Sequence, residues 1–127
     1  MSARVVLQAA LVARLNAVLA VSVFDAPPVR GGLPYAVVDE PVLSDWSTKS
    51  WSGREGRVVL TLFDGGERPV RLRALLAAAE EGLDALDPDL GEGWRAVRVA
   101  LVRSRVLRVG DRWRGTAEFL VRMYRDI

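Results

Sequence analysis

The chain has 127 residues, of which 50% are hydrophobic and 27% charged, as is usual for a globular domain with one core. It contains neither cysteine nor histidine, which excludes disulfides, thiolate chemistry, histidine bases and the usual zinc ligand sets. The net charge of +2 is uneven, because residues 94–127 hold nine arginines and three acids (+6), whereas residues 1–93 hold nine basic and thirteen acidic residues (−4). No apolar stretch is long enough to span a membrane.

The N-terminal segment predicts a helix from about Ala3 to Ala20, with Ser2 as its N-cap. Apolar residues repeat along it at helical spacing, which predicts a stripe facing the core: Leu7, Leu11, Leu15 and Val18. Prolines and glycines in 23–32 then predict a loop or a short edge segment, and a strand follows from Tyr35 to Val42.

Residues 44–56, SDWSTKSWSGREG, predict a polar, flexible loop that is mobile in an isolated subunit. Leaving indole rings in water costs free energy, so Trp46 and Trp51 are expected either to fold back onto the domain or to anchor a partner. We favour the partner, because aromatic residues commonly anchor interfaces. Lys49 and Arg54 lie in the same stretch and are candidate interface residues with the two tryptophans.

The middle of the chain predicts a strand from Arg57 to Phe63 and then a helix with Pro69 in its first turn. The apolar stripe of this helix is Leu72, Leu75, Leu76, Ala79, Leu83 and Leu86. Gly82 is expected to weaken the last turn by ~1 kcal/mol relative to alanine.

The last third predicts one long β-hairpin, from Trp94 to Arg125, around a type II′ turn at Gly110-Asp111. Extending the register of that turn predicts five opposed pairs: Arg103 with Glu118, Val102 with Phe119, Leu101 with Leu120, Ala100 with Val121, and Val97 with Tyr124.

This register makes the open end of the hairpin apolar on both faces. One face carries Ala100, Val102, Phe119 and Val121, and the other carries Val97, Val99, Leu101, Leu120 and Tyr124. An antiparallel sheet usually keeps one wet face, so a helix or another subunit is expected to cover the second face. Val99, Leu101 and Leu120 are therefore candidate interface residues.

The hairpin arginines raise the alternative of a basic nucleic-acid-binding module. In the predicted register Arg103, Arg105 and Arg114 lie on one face and Arg98 and Arg108 on the other. A surface that binds nucleic acid would concentrate arginines and stacking aromatic residues on one face. Interface or solvated arginines are thus favoured, with Arg103, Arg105 and Arg114 as candidates, and Arg108 is expected to stack on Trp113.

No motif for catalysis, for phosphate binding or for a metal is present, so we expect no enzyme activity, no cofactor and no metal site. The element order predicts an α+β fold in which two helices pack on a mainly antiparallel sheet with a long C-terminal β-hairpin. One domain is expected to span residues 1–127.

The ordered segments LPYAVVDEP, DWSTKSWSGREG, VVLTLFD, RLRALLAAAEEGLDAL and GWRAVRVALVRSRVLRVGDRWRGTAEFLVRM resemble the tail-terminator (tail-completion) proteins of long-tailed phages. The similarity is greatest to those of gene transfer agents, which are phage-like particles. It covers nearly the whole chain, and it lies in the pattern of elements rather than in a catalytic motif.

The resemblance implies a structural protein that forms a homo-oligomeric, hexameric ring. The ring caps the tail tube, ends its growth and joins it to the head, so the implied partners are the major tail tube protein and a head–tail connector or stopper protein. DNA passes through the ring without specific binding. The implied location is a phage-like particle that is assembled in the bacterial cytoplasm.

Overall fold

A computed structural model describes residues 2–127, which form two helices and a seven-stranded sheet. The elements are α1 (Ala3–Val18), β1 (Ser22–Phe24), β2 (Tyr35–Val38), β3 (Val42–Asp45), β4 (Trp51–Asp64), α2 (Val70–Asp84), β5 (Asp89–Gly91), β6 (Trp94–Val109) and β7 (Arg112–Asp126). The sheet order is β1-β2-β4-β7-β6-β5, with β3 also paired to β4. Only β1 and β2 pair in parallel among these strands, which confirms the predicted α+β fold.

Both helices contribute to one hydrophobic core, which they form with one face of the sheet. Ser2 caps α1 as predicted, its Oγ accepting a hydrogen bond from the Val5 N–H at 3.3 Å. The predicted helix stripes are buried or packed against the core. The main core residues are Val6, Leu7, Leu11, Leu15, Leu72, Leu76, Ala79, Leu83, Ala36, Val38, Val58, Leu60, Leu62, Ala117, Phe119, Val121 and Met123. No helix in residues 2–127 is long and apolar enough to cross a membrane.

Gly82 lies where α2 contacts α1. A Cβ atom at Gly82 would lie 2.6 Å from Cγ2 of Val18, and the Gly82 carbonyl accepts a hydrogen bond from Arg14 Nε at 2.8 Å. Glycine therefore permits the close approach of the two helices, which helix propensity alone does not reveal.

We expect Gly82→Ala to lower the free energy of unfolding by up to about 2 kcal/mol. Overpacking a tight contact costs ~1–3 kcal/mol, and the better helix propensity of alanine returns only ~1 kcal/mol. Chemical denaturation measures the change, and Ala77→Gly, at an exposed position of α2, reports the propensity effect alone. A stabilised Gly82→Ala variant would contradict the close contact.

Asp64 joins the end of β4 to the start of α2. Its carboxylate is almost fully buried and accepts hydrogen bonds from Arg71 at 2.6 and 2.8 Å and from the Gly65 N–H at 2.8 Å. The hydrogen bonds from Arg71 hold the pKa of Asp64 below its ordinary value of 3.8, although burial acts in the opposite direction.

This pKa shift predicts a specific loss of stability in acid. Because the folded-state pKa is lowered, the contribution of Asp64 is complete above about pH 3.8 and is lost as the pH falls through the depressed value. The free energies of unfolding of the native chain and Asp64→Asn should therefore differ most near neutral pH and converge in acid. A difference that does not depend on pH would contradict the ionic interaction.

The C-terminal hairpin keeps its predicted register only near the turn. Gly110 has a φ of 63°, and pairing proceeds from Val109 and Arg112 to Arg103 and Glu118 as predicted. Two β-bulges, between Ala96 and Arg98 and between Leu101 and Arg103, then shift the strands. The four predicted pairs beyond Arg103 are wrong, and the observed ones are Leu101 with Phe119, Ala100 with Leu120, Val99 with Val121, and Arg95 with Tyr124.

The bulges also change which residues share a face. Phe119 and Val121 are buried towards the helices as predicted, and Val99 joins them there, partly buried against the core. Val102 and Val97 are the extra residues at the bulges and are 43% and 56% exposed, so placing Val102 at the centre of the core is wrong. The second face is consequently not the uniformly apolar surface predicted.

The stretch predicted as a flexible loop is a β-hairpin, which we call the arm (β3, the tip 46–50, and the first part of β4). Val42 of β3 lies opposite Arg57 of β4, and Asp45 lies opposite Arg54. The single strand predicted over 35–42 is therefore two strands, β2 and β3. A Cβ atom at Gly56 would collide with the carbonyl of Val42, and one at Gly53 with that of Trp46. These glycines let the two strands lie close together, so the expectation of a mobile loop is wrong.

Candidate interaction surface

The helices leave one sheet face uncovered, which we call the open face. Along β7, buried residues on the helix side alternate with partly exposed residues on the open side. Pairing with β4 and β6 extends this face over three long strands. Its residues include Glu55, Arg57, Val59, Thr61 and Phe63 in β4, Arg98, Ala100, Arg103, Arg105 and Leu107 in β6, and Arg114, Thr116, Glu118, Leu120, Arg122 and Tyr124 in β7.

Ion pairs occupy the middle of the open face. Glu118 accepts hydrogen bonds from Arg57 at 3.0 Å and from Arg103 at 3.2 Å. Glu55 accepts one from Arg122 at 3.1 Å. Partly exposed pairs of this kind contribute only ~0–1 kcal/mol each to stability. Their main consequence is that Arg103 and Arg122, two of the nine arginines in 94–127, are paired with acids instead of being free for phosphate.

An aromatic cluster lies where the arm meets the open face. The rings of Trp46 and Trp51 are 5.0 Å apart, and Trp51 lies 5.8 Å from Tyr124. The guanidinium of Arg122 is 5.5 Å from the Trp46 ring. Both tryptophans are thus half-buried against their own chain, although part of each ring still faces solvent.

Hydrogen bonds at the arm tip hold the cluster in place. Ser47 Oγ accepts from the Gly53 N–H at 2.9 Å and donates to Asp45 at 2.6 Å. The backbone N–H of Trp46 donates to the Gly53 carbonyl at 2.9 Å. The serines and glycines that predicted flexibility instead form a hydrogen-bonded turn.

A groove of about 330 Å³ lies at the opposite end of the open face. Tyr35 and Phe63, whose rings are 5.0 Å apart, form its apolar wall, and Arg105 and Arg114 line it from the C-terminal hairpin. The open face therefore has aromatic residues at both ends and arginine–acid pairs between them, and aromatic residues and arginine are both enriched at protein–protein interfaces.

The structure places most of the predicted interface residues on or beside the open face. Trp51, Arg103, Arg105, Arg114 and Leu120 lie on it, and Trp46 packs at its end. Lys49 is exposed at the arm tip, and Arg54 bonds to Asp45 at 3.3 Å. Leu101 and Val99 were predicted on the second face with Leu120, but the bulge places them opposite Phe119 and Val121 on the helix side, where Leu101 is exposed and Val99 packs against the core.

The arginines are distributed differently from the prediction. Arg98 lies opposite Arg122 and so shares the open face, because the bulge near Val102 changes its side. Arg108 stays on the helix side, where its guanidinium lies 5.1 Å from the Trp113 ring as predicted. It also donates to the Gly66 carbonyl at 2.9 Å, so it is held by its own chain.

Sequence reasoning missed several open-face residues, Tyr35, Glu55 and Arg122, whereas Tyr124 was predicted on this face. Strand β4 begins six residues earlier than predicted, at Trp51 instead of Arg57, and this extension pairs with the end of β7. The alternation of side chains along β7 was visible in the sequence, but the pairing of β7 with β4 was not.

Comparison with known proteins gives the family. The model of the family described as tail completion protein gp17 matches residues 5–124, nearly the whole chain. The chain belongs to this tail completion family. A structural role in tail completion follows, as the resemblance implied, and no finding favours the nucleic-acid-binding alternative.

A solved structure extends the comparison. A chain from the structure titled "Virion of native gene transfer agent (GTA) particle" is similar with a TM-score of 0.80 and 26% sequence identity. The match covers 98% of this chain and 99% of that one, so the two share their complete architecture. No curated protein sequence matches this tail completion protein significantly.

Proposed function

We propose that this tail completion protein forms a hexameric ring that caps the tail tube, ends its growth and joins it to the head of a phage-like particle. The observation that carries the proposal is the similarity, over nearly all of both chains, to a chain of a gene transfer agent virion. Family membership supports the same role.

The surface of the chain fits a structural role. The open face presents aromatic residues and charged pairs over three long strands, and ring subunits need such broad surfaces for their neighbours. We take the role to be non-enzymatic, with residues 1–127 acting as one domain. Its partners are further copies of the chain, the tail tube protein and a connector or stopper protein on the head side, and assembly takes place in the bacterial cytoplasm.

DNA is expected to pass the ring without specific binding. Arg57, Arg103 and Arg122 are paired with acids, and Arg108 donates to a carbonyl, so these four arginines are engaged within their own chain. We predict weak duplex binding that falls further as salt rises, measured by fluorescence anisotropy. Nanomolar, sequence-dependent binding at physiological salt would instead support the nucleic-acid-binding module.

The proposed role is tested by deleting the gene in a strain that produces the particles. Electron microscopy should then show tails of uncontrolled length and heads without tails, and a plasmid-borne copy should restore complete particles. Normal tail lengths and joined heads in the deletion strain would overturn the proposal.

A further inference from the structure

Strand β6 forms a long open edge of the sheet. The short strand β5 pairs only with Trp94 and Arg95, so 97–109 has no strand on its outer side among the described residues. Four of its large apolar side chains are exposed: Val97, Leu101, Val102 and Val109. We call 97–109 the β6 edge.

Natural proteins protect such edges with charges, prolines or bulges, because unpaired backbone groups attract other strands. The β6 edge has two bulges, but the extra residues there, Val97 and Val102, are apolar rather than charged. These two valines, with Leu101 and Val109, are the apolar area that a covering chain would bury.

The β6 edge is also basic. Arg98 and Arg105 are exposed and form no ion pair with any residue in 2–127. Arg112, just beyond the turn, is likewise exposed and unpaired within this range. A covering surface should therefore be acidic and carry some exposed apolar area.

The opposite edge of the same sheet, at β3, is acidic and carries an exposed apolar residue. Strand β3 pairs only with β4 among the described strands, so its outer side is free, and Val42 at its start is 73% exposed. Acidic residues flank it: Asp39 and Glu40 before it and Asp45 at its end. Glu40 and Asp45 pair with Arg4 at 2.9 Å and Arg54 at 3.3 Å, but both carboxylates are highly exposed, so these pairs can be exchanged at little cost.

We propose that the β6 edge of one copy docks against β3 of the next copy, with its arginines facing Asp39, Glu40 and Asp45. The two surfaces are different and lie on opposite sides of the sheet, so the contact is head-to-tail and can close into a ring. This inference rests on the proposed ring and identifies the two surfaces that build it.

Cysteine cross-linking tests the contact, because the chain has no cysteine of its own. The double variant Val42→Cys/Val102→Cys, treated with a short bis-maleimide under assembly conditions with tube protein, should give a ladder of covalent oligomers. Each single variant should give only monomers, since a head-to-tail contact never brings two identical positions together. The control Val70→Cys/Val102→Cys places the first thiol at an exposed position of α2 and should give no ladder.

Charge reversal provides a second test. Arg98→Glu/Arg105→Glu should reduce the assembled fraction by more than about tenfold, because like charges would then face each other. Adding Glu40→Arg/Asp45→Arg to the same chain should restore assembly. Failure of this rescue would overturn the pairing of these two surfaces.

The outcomes separate this inference from the proposed function. Rings without a ladder from Val42→Cys/Val102→Cys would overturn the β6–β3 contact while leaving the ring intact. Dimers from Val102→Cys alone would show that two β6 edges meet, which also overturns it. Absence of any ring from the unmodified chain with tube protein would overturn the ring itself.

Discussion

Replacing Phe119 with alanine lowers the free energy of unfolding by about 3–5 kcal/mol. The ring of Phe119 is 2% exposed and lies in the centre of the sheet, opposite Val58 of β4 and Leu101 of β6. Truncation removes the buried contacts of a large apolar ring and leaves a cavity that the surrounding strands cannot fill. Denaturation in urea, followed by circular dichroism, measures the loss.

Val102→Ala is the matched control, because the sequence-derived register places Val102 opposite Phe119 in the core. The bulge leaves this side chain 43% exposed, so its truncation should cost less than about 1 kcal/mol. Similar losses for the two variants, or a loss below ~1 kcal/mol for Phe119→Ala, would contradict the observed register.

Replacing Trp46 and Trp51 together with serine should leave the domain folded and abolish ring assembly. The indoles pack on each other, on Tyr124 and under Arg122 at the tip of the arm. Each lost aromatic contact costs ~0.5–1.5 kcal/mol, so the loss in stability should be modest. The loss of assembly should be complete if the exposed parts of both rings anchor a partner.

Trp46→Phe/Trp51→Phe is the control, since it keeps apolar rings at both positions. It should remain folded and retain more assembly than the serine variant, measured by native mass with tube protein. Global unfolding of the serine variant would show that the indoles serve the core alone. Normal assembly of a folded serine variant would remove the arm from the interface.

The fold class was predictable because periodicity and turn chemistry are local signals. The stripe of α1 and the turn at Gly110 both follow from short stretches of sequence. The bulges at Val97 and Val102 were not predictable, because both valines resemble any other strand residue. Each bulge shifts the register by one position, which exchanges the faces of the residues beyond it.

The candidate surface was predictable only in part. Trp46 and Trp51 drew attention as aromatic residues in a polar stretch, but Tyr124 and Arg122 join them through pairing of β4 with β7. The composition of the arm favoured a flexible loop. Its order depends on the close approach of strands at Gly53 and Gly56, which is a tertiary property that composition does not reveal.

The most direct test of the ring is the native mass of the chain with and without short tubes of the tail tube protein. We predict a complex in which one hexamer of this chain occupies one end of each tube and blocks further growth. Electron microscopy of the same sample locates the added density. Binding along the sides of the tubes, or no binding while the tubes keep growing, would contradict the role of a tail-capping ring.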